Sequence, residues 1–202
     1  MSKWHFLCYY NAKKRSDIMT IDNIKTPEDI LDFMKQNIKY GWIDTENKEH
    51  IGTLKDFRKL YRTMSLEDTL KHGIGTCIEQ VHLMSTLLTK LNIPNKMFCT
   101  RIYEDENFND LNSDEHMHCF VLYYMNGKVY QIEHHNWEKI GIYEFASEEE
   151  AIKKINDIYI KMSGGYARPV TEFFEVPVGL SFKEFNLYIN GLDKQDKKHL
   201  NN

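Results

Sequence analysis

The sequence predicts an α+β fold in which an antiparallel sheet packs against one buried helix. Three observations carry this expectation. Helix-start signatures dominate the chain as far as Lys90. From Lys96 to His135 the pattern changes to strand-like runs around Asn126-Gly127, the strongest short hairpin signal. Between these regions, Ile78, Val81, Leu83, Met84, Leu87, Leu88 and Leu91 make one helix apolar nearly all round, which places it at the centre. Helices, then strands, then mixed elements fit α+β better than an alternating α/β order. The chain has 202 residues, 42% apolar and 13% aromatic, enough for a sizeable core. The expected organisation is one domain over residues 1–192 and a disordered charged tail over 193–202.

Each element has a local reason. Thr26-Pro27-Glu28-Asp29 supplies an N-cap, a Pro at the first helical position and acids in the first turn. Ile30, Leu31, Phe33, Met34 and Ile38 continue that helix, and Gly41 is expected to stop it. A second helix is expected over Leu54 to Arg62, and a short third one between Ser65 and Gly73. Thr76 and Glu79 form a capping box that opens the central helix, which Asn92-Ile93-Pro94 closes. A strand is expected over Lys96 to Tyr103, then an acidic surface loop from Glu104 to Glu115. Met117–Met125 and Lys128–His135 are the arms of the hairpin. Ser147 with Glu150 opens a further helix to about Met162, broken by Gly164-Gly165. Arg168 to Val176 is expected as a strand, and Ser181 with Glu184 caps a last helix to about Ile189.

Charge narrows the function classes. With 26 basic and 30 acidic residues the net charge is −4, and the isoelectric point is 6.1. That is a poor footprint for a nucleic-acid partner. No apolar run is long enough for a transmembrane helix, so no membrane association is expected. The N-terminal apolar stretch is short and precedes its bases, the reverse of a signal peptide, so a cytoplasmic location is expected. Cys8, Cys77, Cys99 and Cys119 form no C-x-x-C pair, which argues against a cysteine zinc site and for reduced thiols.

One cysteine has a special setting. Cys77 is the first helical residue after the Thr76 cap, beside unsatisfied N–H groups and the positive end of the helix dipole. That environment favours the thiolate, the form that attacks. The Cys77 backbone N–H can also donate to an oxyanion. Cys8, Cys99 and Cys119 are read as core or strand residues.

The hairpin supplies partners. A two-residue turn pairs Met125 with Lys128, so Phe120 opposes Glu133 and His118 opposes His135. Alternation then puts His116, His118, Phe120, Glu133 and His135 on one face. His118 and Glu133 are diagonal neighbours, about 7 Å apart at the backbone and closer through their side chains. A carboxylate there can orient an imidazole, as the acid of a Cys-His-acid triad does. His116 and His135 flank the pair as supporting residues, and His134 points to the opposite face. The same face also permits a metal reading, with His116, His118, Glu133 and His135 as ligands.

Gly73 to Lys96, followed by HCFVLYYMNGKVYQIE, resembles the transglutaminase-like superfamily of papain-like fold. Its members carry a G-x-C at the start of a central helix, a turn like Asn92-Ile93-Pro94, an H-x-aromatic strand and an acid about fifteen residues after the His. The resemblance implies Cys77 as nucleophile, His118 as general base and acid, and Glu133 as the orienting carboxylate, where the family usually has Asp. It further implies an oxyanion donor from upstream, for which Trp42 and Gln80 are candidates. The activity so implied is acyl transfer through a thioester on a peptide or protein substrate, more readily to water than to an amine, with no cofactor. Acyl transfer from a coenzyme A thioester, a non-catalytic peptide-binding module and the metal site are the alternatives.

Overall fold

The structure, a computed structural model, describes residues 20–103, 115–136 and 139–199. Cys8 and nearly all of the expected acidic loop from Glu104 lie outside these residues. Helix α1 (Pro27–Asn37) begins at a reciprocal cap. Asp29 N donates to Thr26 Oγ1 at 3.2 Å, and Thr26 N donates to Asp29 Oδ2 at 2.9 Å. Its apolar face buries Ile30, Leu31, Phe33 and Met34.

The chain then enters a small sheet that the sequence reading did not include. Strand β1 (Lys39–Ile43) pairs antiparallel with β2 (Glu49–Ile51) and parallel with β3 (Ile74–Gly75). These strands have two to five residues, too short for alternation to register as a pattern. Gly41 is therefore a strand residue and not a helix stop. It lies opposite Ile51, and a Cβ there would meet His50 O at 2.8 Å. The expected helix over Leu54 to Arg62 is only the single turn α2 (Phe57–Leu60). Helix α3 (Leu66–His72) is capped by Ser65 and closed by Gly73 at φ 65°.

Helix α4 (Cys77–Lys90) buries most of its circumference and packs on β4 (Asn95–Tyr103) and β5 (Glu115–Met125). β6 (Lys128–Glu133) and β7 (Gly141–Phe145) continue the main sheet on one side of β5. β8 (Tyr166–Ala167) and β9 (Thr171–Phe173) both pair with β4 on the other side, and every pairing in this sheet is antiparallel. Asn126 and Gly127 turn with φ 54° and 74°, the signs of a type I′ hairpin, and set Met125 opposite Lys128 and Val121 opposite Ile132. Of the strand expected over Arg168 to Val176 only β9 forms; β8 lies before that range, and Pro169, between the two, lacks a ladder donor.

The sheet is covered on both faces. Cys119, Val121, Tyr123 and Ile132 join the core with α1 and α4. Phe98, Phe120, Leu122 and Val129 face Ala151 and Ile155 of helix α5 (Glu148–Ser163). Helix α6 (Phe182–His199) continues beyond Ile189, so the segment expected as a disordered tail is helical up to His199. Buried Arg101 ties the layers together: its guanidinium reaches Thr171 Oγ1 at 2.6 Å and Asn190 of α6. Among the described residues, no helix is long and apolar enough to cross a membrane.

Candidate active site

Cys77 stands at the first position of α4 because Thr76 caps the helix from both sides. Thr76 Oγ1 accepts from Ile78 N at 3.2 Å, and Glu79 Oε2 accepts from Thr76 N at 2.9 Å. The other oxygen of Glu79 accepts from Tyr61 Oη at 2.5 Å and from Met64 N at 3.1 Å. The capping box thus also fixes the loop that precedes α3 to the start of α4. Cys77 is 8% exposed, whereas Cys99 and Cys119 have no exposed surface. It lines a cavity of about 690 Å³ together with Tyr40, Phe57, His116, His118 and Tyr159.

His118 projects from β5 and meets Cys77 side chain to side chain. Its Nε2 is 3.5 Å from Glu133 Oε2. Tyr159 of α5 stacks on the imidazole at 3.6 Å between centroids, with planes 19° apart. Both His118 and Glu133 are buried. Glu133 accepts further bonds from Gln131 Nε2 at 3.0 Å and Asn136 N at 3.0 Å, which hold the carboxylate in place.

The electrostatics follow from these contacts. The Cys119 thiol beside Cys77 lowers the Cys77 pKa; burial opposes this, and His118 lowers it further, leaving it well below the ordinary thiol range. Burial works against a charged His118, but its bonds to Cys77 and Glu133 prevail and raise its pKa. Burial would raise Glu133, yet the neighbouring imidazoles and the Asn136 N–H bring it down to about 2. Burial lowers the His135 pKa against the pull of the Glu133 carboxylate, and His135 and His118 together hold Glu133 down. Burial pushes Cys119 well above the thiol range.

A sequence model of the transglutaminase-like superfamily matches residues 22–137, more than half of the chain. The chain belongs to the transglutaminase-like superfamily. The match spans Cys77, His118 and Glu133 together. No curated protein matches the chain. The superfamily generally contains cysteine enzymes, and the mixed α+β structure, with its antiparallel sheet and covering helices, is consistent with a transglutaminase-like domain.

The remaining candidates divide. His135 Nε2 approaches His118 Nδ1 at 2.9 Å and Glu133 Oε1 at 3.3 Å, so it joins the cluster. His116 is exposed at the cavity rim and stands outside it. The four-ligand metal set therefore reduces to His118, Glu133 and His135 among the described residues. Trp42 is fully buried and its indole N–H donates to Thr53 O at 2.8 Å, so that donor is already committed within the fold. Gln80 is likewise buried: its amide nitrogen donates to Gly75 O at 2.8 Å, and its amide oxygen faces His134 Nδ1 at 2.8 Å. Burial lowers His134 to about 4, so the neutral ring is the donor in that pair.

Three neighbours escape a reading of the sequence. Cys119 against Cys77, Tyr159 over His118 and the His134–Gln80 link are long-range contacts with no spacing signal. The nearest hint is alternation, which separates His134 from its neighbours and sends it towards the α4 face.

Proposed function

We propose that this transglutaminase-like chain is a cysteine enzyme of papain-like arrangement that cleaves an amide or peptide bond through a thioester. Cys77 is the nucleophile, His118 the general base and acid, and Glu133 the orienting carboxylate. The observation that carries the reading is the joint placement: a thiol at the N-terminus of a buried helix, in contact with an imidazole that has a carboxylate 3.5 Å away.

In this mechanism the Cys77 thiolate attacks the carbonyl carbon and the electrons move to its oxygen. The Cys77 backbone N–H, which the helix itself leaves without a carbonyl partner, stabilises that oxyanion. The imidazolium of His118 gives its proton to the leaving amine, and a thioester remains on Cys77. His118 then takes a proton from water, which attacks the thioester and releases the acid. Hydrolysis needs only solvent at the cavity, whereas transfer to an amine needs a second binding site that competes with water. The cavity wall beside Cys77 includes Phe57, Ile102 and Met117, apolar surface for a peptide or protein substrate to rest on.

The test is iodoacetamide labelling of the chelator-treated protein, with the adducts located by mass spectrometry. Cys77 should label fast below pH 7, ahead of Cys99 and Cys119, and His118→Ala should slow it. Labelling at the rate of an ordinary thiol, unchanged by His118→Ala, overturns the reading and leaves a non-catalytic module. Product release from amide substrates with and without an added amine then separates hydrolysis from transfer.

A further inference from the structure

The mechanism above has no use for His135, yet this buried ring is built into the site. Its Nε2 lies 3.2 Å from His118 Nε2 and 3.3 Å from Glu133 Oε1, and His118 Nε2 lies 3.5 Å from Glu133 Oε2. The side chains of all three residues are at most 5% exposed. Metal–ligand bonds of 2.0–2.2 Å to nitrogen and oxygen give a zinc tetrahedron edges of about 3.3–3.6 Å. The imidazole pair and the distance from each imidazole to a different Glu133 oxygen fall on or beside that length, and one ligand atom from each residue lies within 4.8 Å of the others, so a turn of the carboxylate brings one oxygen and both nitrogens around a cation.

Ligand chemistry and charge agree with the spacing. Two imidazoles and a carboxylate suit zinc, and the fourth corner of such a set is open to another ligand. The Cys77 sulfur lies outside the 4.8 Å grouping of those three ligand atoms but touches the His118 side chain, so a movement of the thiol towards the metal completes the set. One thiolate and one carboxylate cancel the two charges of Zn²⁺, which a site this dry requires. His135 Nδ1 is buried with no hydrogen-bond partner among the described residues. The ring is therefore held by packing and by what its Nε2 faces.

We propose that His118, Glu133 and His135 bind Zn²⁺ with the Cys77 thiolate as fourth ligand, and that the metal reversibly masks the nucleophile. The masking rests on the acyl-transfer reading; the binding site does not. Binding forms two Zn–N bonds, one Zn–O bond and one Zn–S bond. The metal sheds its waters, the proton on His118 passes to solvent, and no electron is transferred.

The experiment is a titration of chelator-treated, metal-free protein with Zn²⁺ alone, followed by iodoacetamide labelling. The expected result is one equivalent bound per chain and loss of Cys77 labelling, restored by EDTA. Co²⁺ in place of Zn²⁺ should give tetrahedral visible bands and a thiolate charge-transfer band that Cys77→Ser removes. His135→Gln should weaken binding by more than the ~10–100-fold expected for an outer-sphere partner, while His116→Ala leaves it unchanged. The wild-type titration does not depend on any variant folding. Fast Cys77 labelling that Zn²⁺ leaves unaltered overturns the metal site and leaves the enzyme reading intact. One bound Zn²⁺ on a protein whose metal-free Cys77 shows no special reactivity supports the site and removes the enzyme reading.

Discussion

Glu79→Gln tests how the start of α4 is held. Glu79 is buried, and its two oxygens accept four bonds: Tyr61 Oη and Met64 N at one, Thr76 N and Thr76 Oγ1 at the other. Burial pushes its pKa up, while these donors favour the carboxylate. An amide is nearly the same shape but carries donors at one end. In either orientation that end faces one backbone N–H and one hydroxyl. The hydroxyl can rotate and accept; the backbone N–H cannot. The variant therefore leaves one buried N–H unpaired, at a cost of about 1–3 kcal/mol. Taking about 2 kcal/mol, a chain of this size should melt ~4–8 °C lower. The assay is calorimetry at pH 7, with urea unfolding to check that the m value is unchanged. A variant that melts with the wild type would refute the four-acceptor carboxylate and show that Glu79 is held protonated.

Acid should reveal Glu133. Its folded pKa of about 2 lies below the ordinary 4.5, so the unfolded chain takes up the proton first. The resulting stability, about 3 kcal/mol, is present above about pH 4.5 and lost as pH falls towards 2. Urea unfolding across that range should show a shallower pH slope in Glu133→Gln than in wild type. Gly73→Ala should lower stability by about 1–2 kcal/mol, because φ is 65° and the new Cβ would meet Asn37 O at 2.8 Å; thermal melting measures it, and an unchanged Tm refutes the close approach. Gln80→Ala leaves His134 Nδ1 and Gly75 O without their partners and should cost about 1–3 kcal/mol. An equal denaturation midpoint would show that water replaces both bonds.

Legibility followed the range of the interaction. Caps join groups three residues apart, so Thr26 with Asp29 and Thr76 with Glu79 could be read directly. The hairpin register follows from Asn126-Gly127, because a two-residue turn fixes every pair above it. That register puts His118 and Glu133 within reach of each other, and the structure has them 3.5 Å apart. The strands of the small sheet leave no such signal because each is short, and β3 pairs with β1 far back in the chain.

The helix that starts at Cys77, the hairpin register and the family are legible in the amino-acid order, since each depends on local geometry or on residues at fixed offsets. Which polar groups are already satisfied is set by the packing of separate segments. Trp42 gives its indole N–H to Thr53, Gln80 bridges Gly75 and His134, and His135 turns its Nε2 between His118 and Glu133. Those partnerships depend on how separate segments pack, and a donor inside a packed core bonds to whichever acceptor the packing brings within about 3 Å.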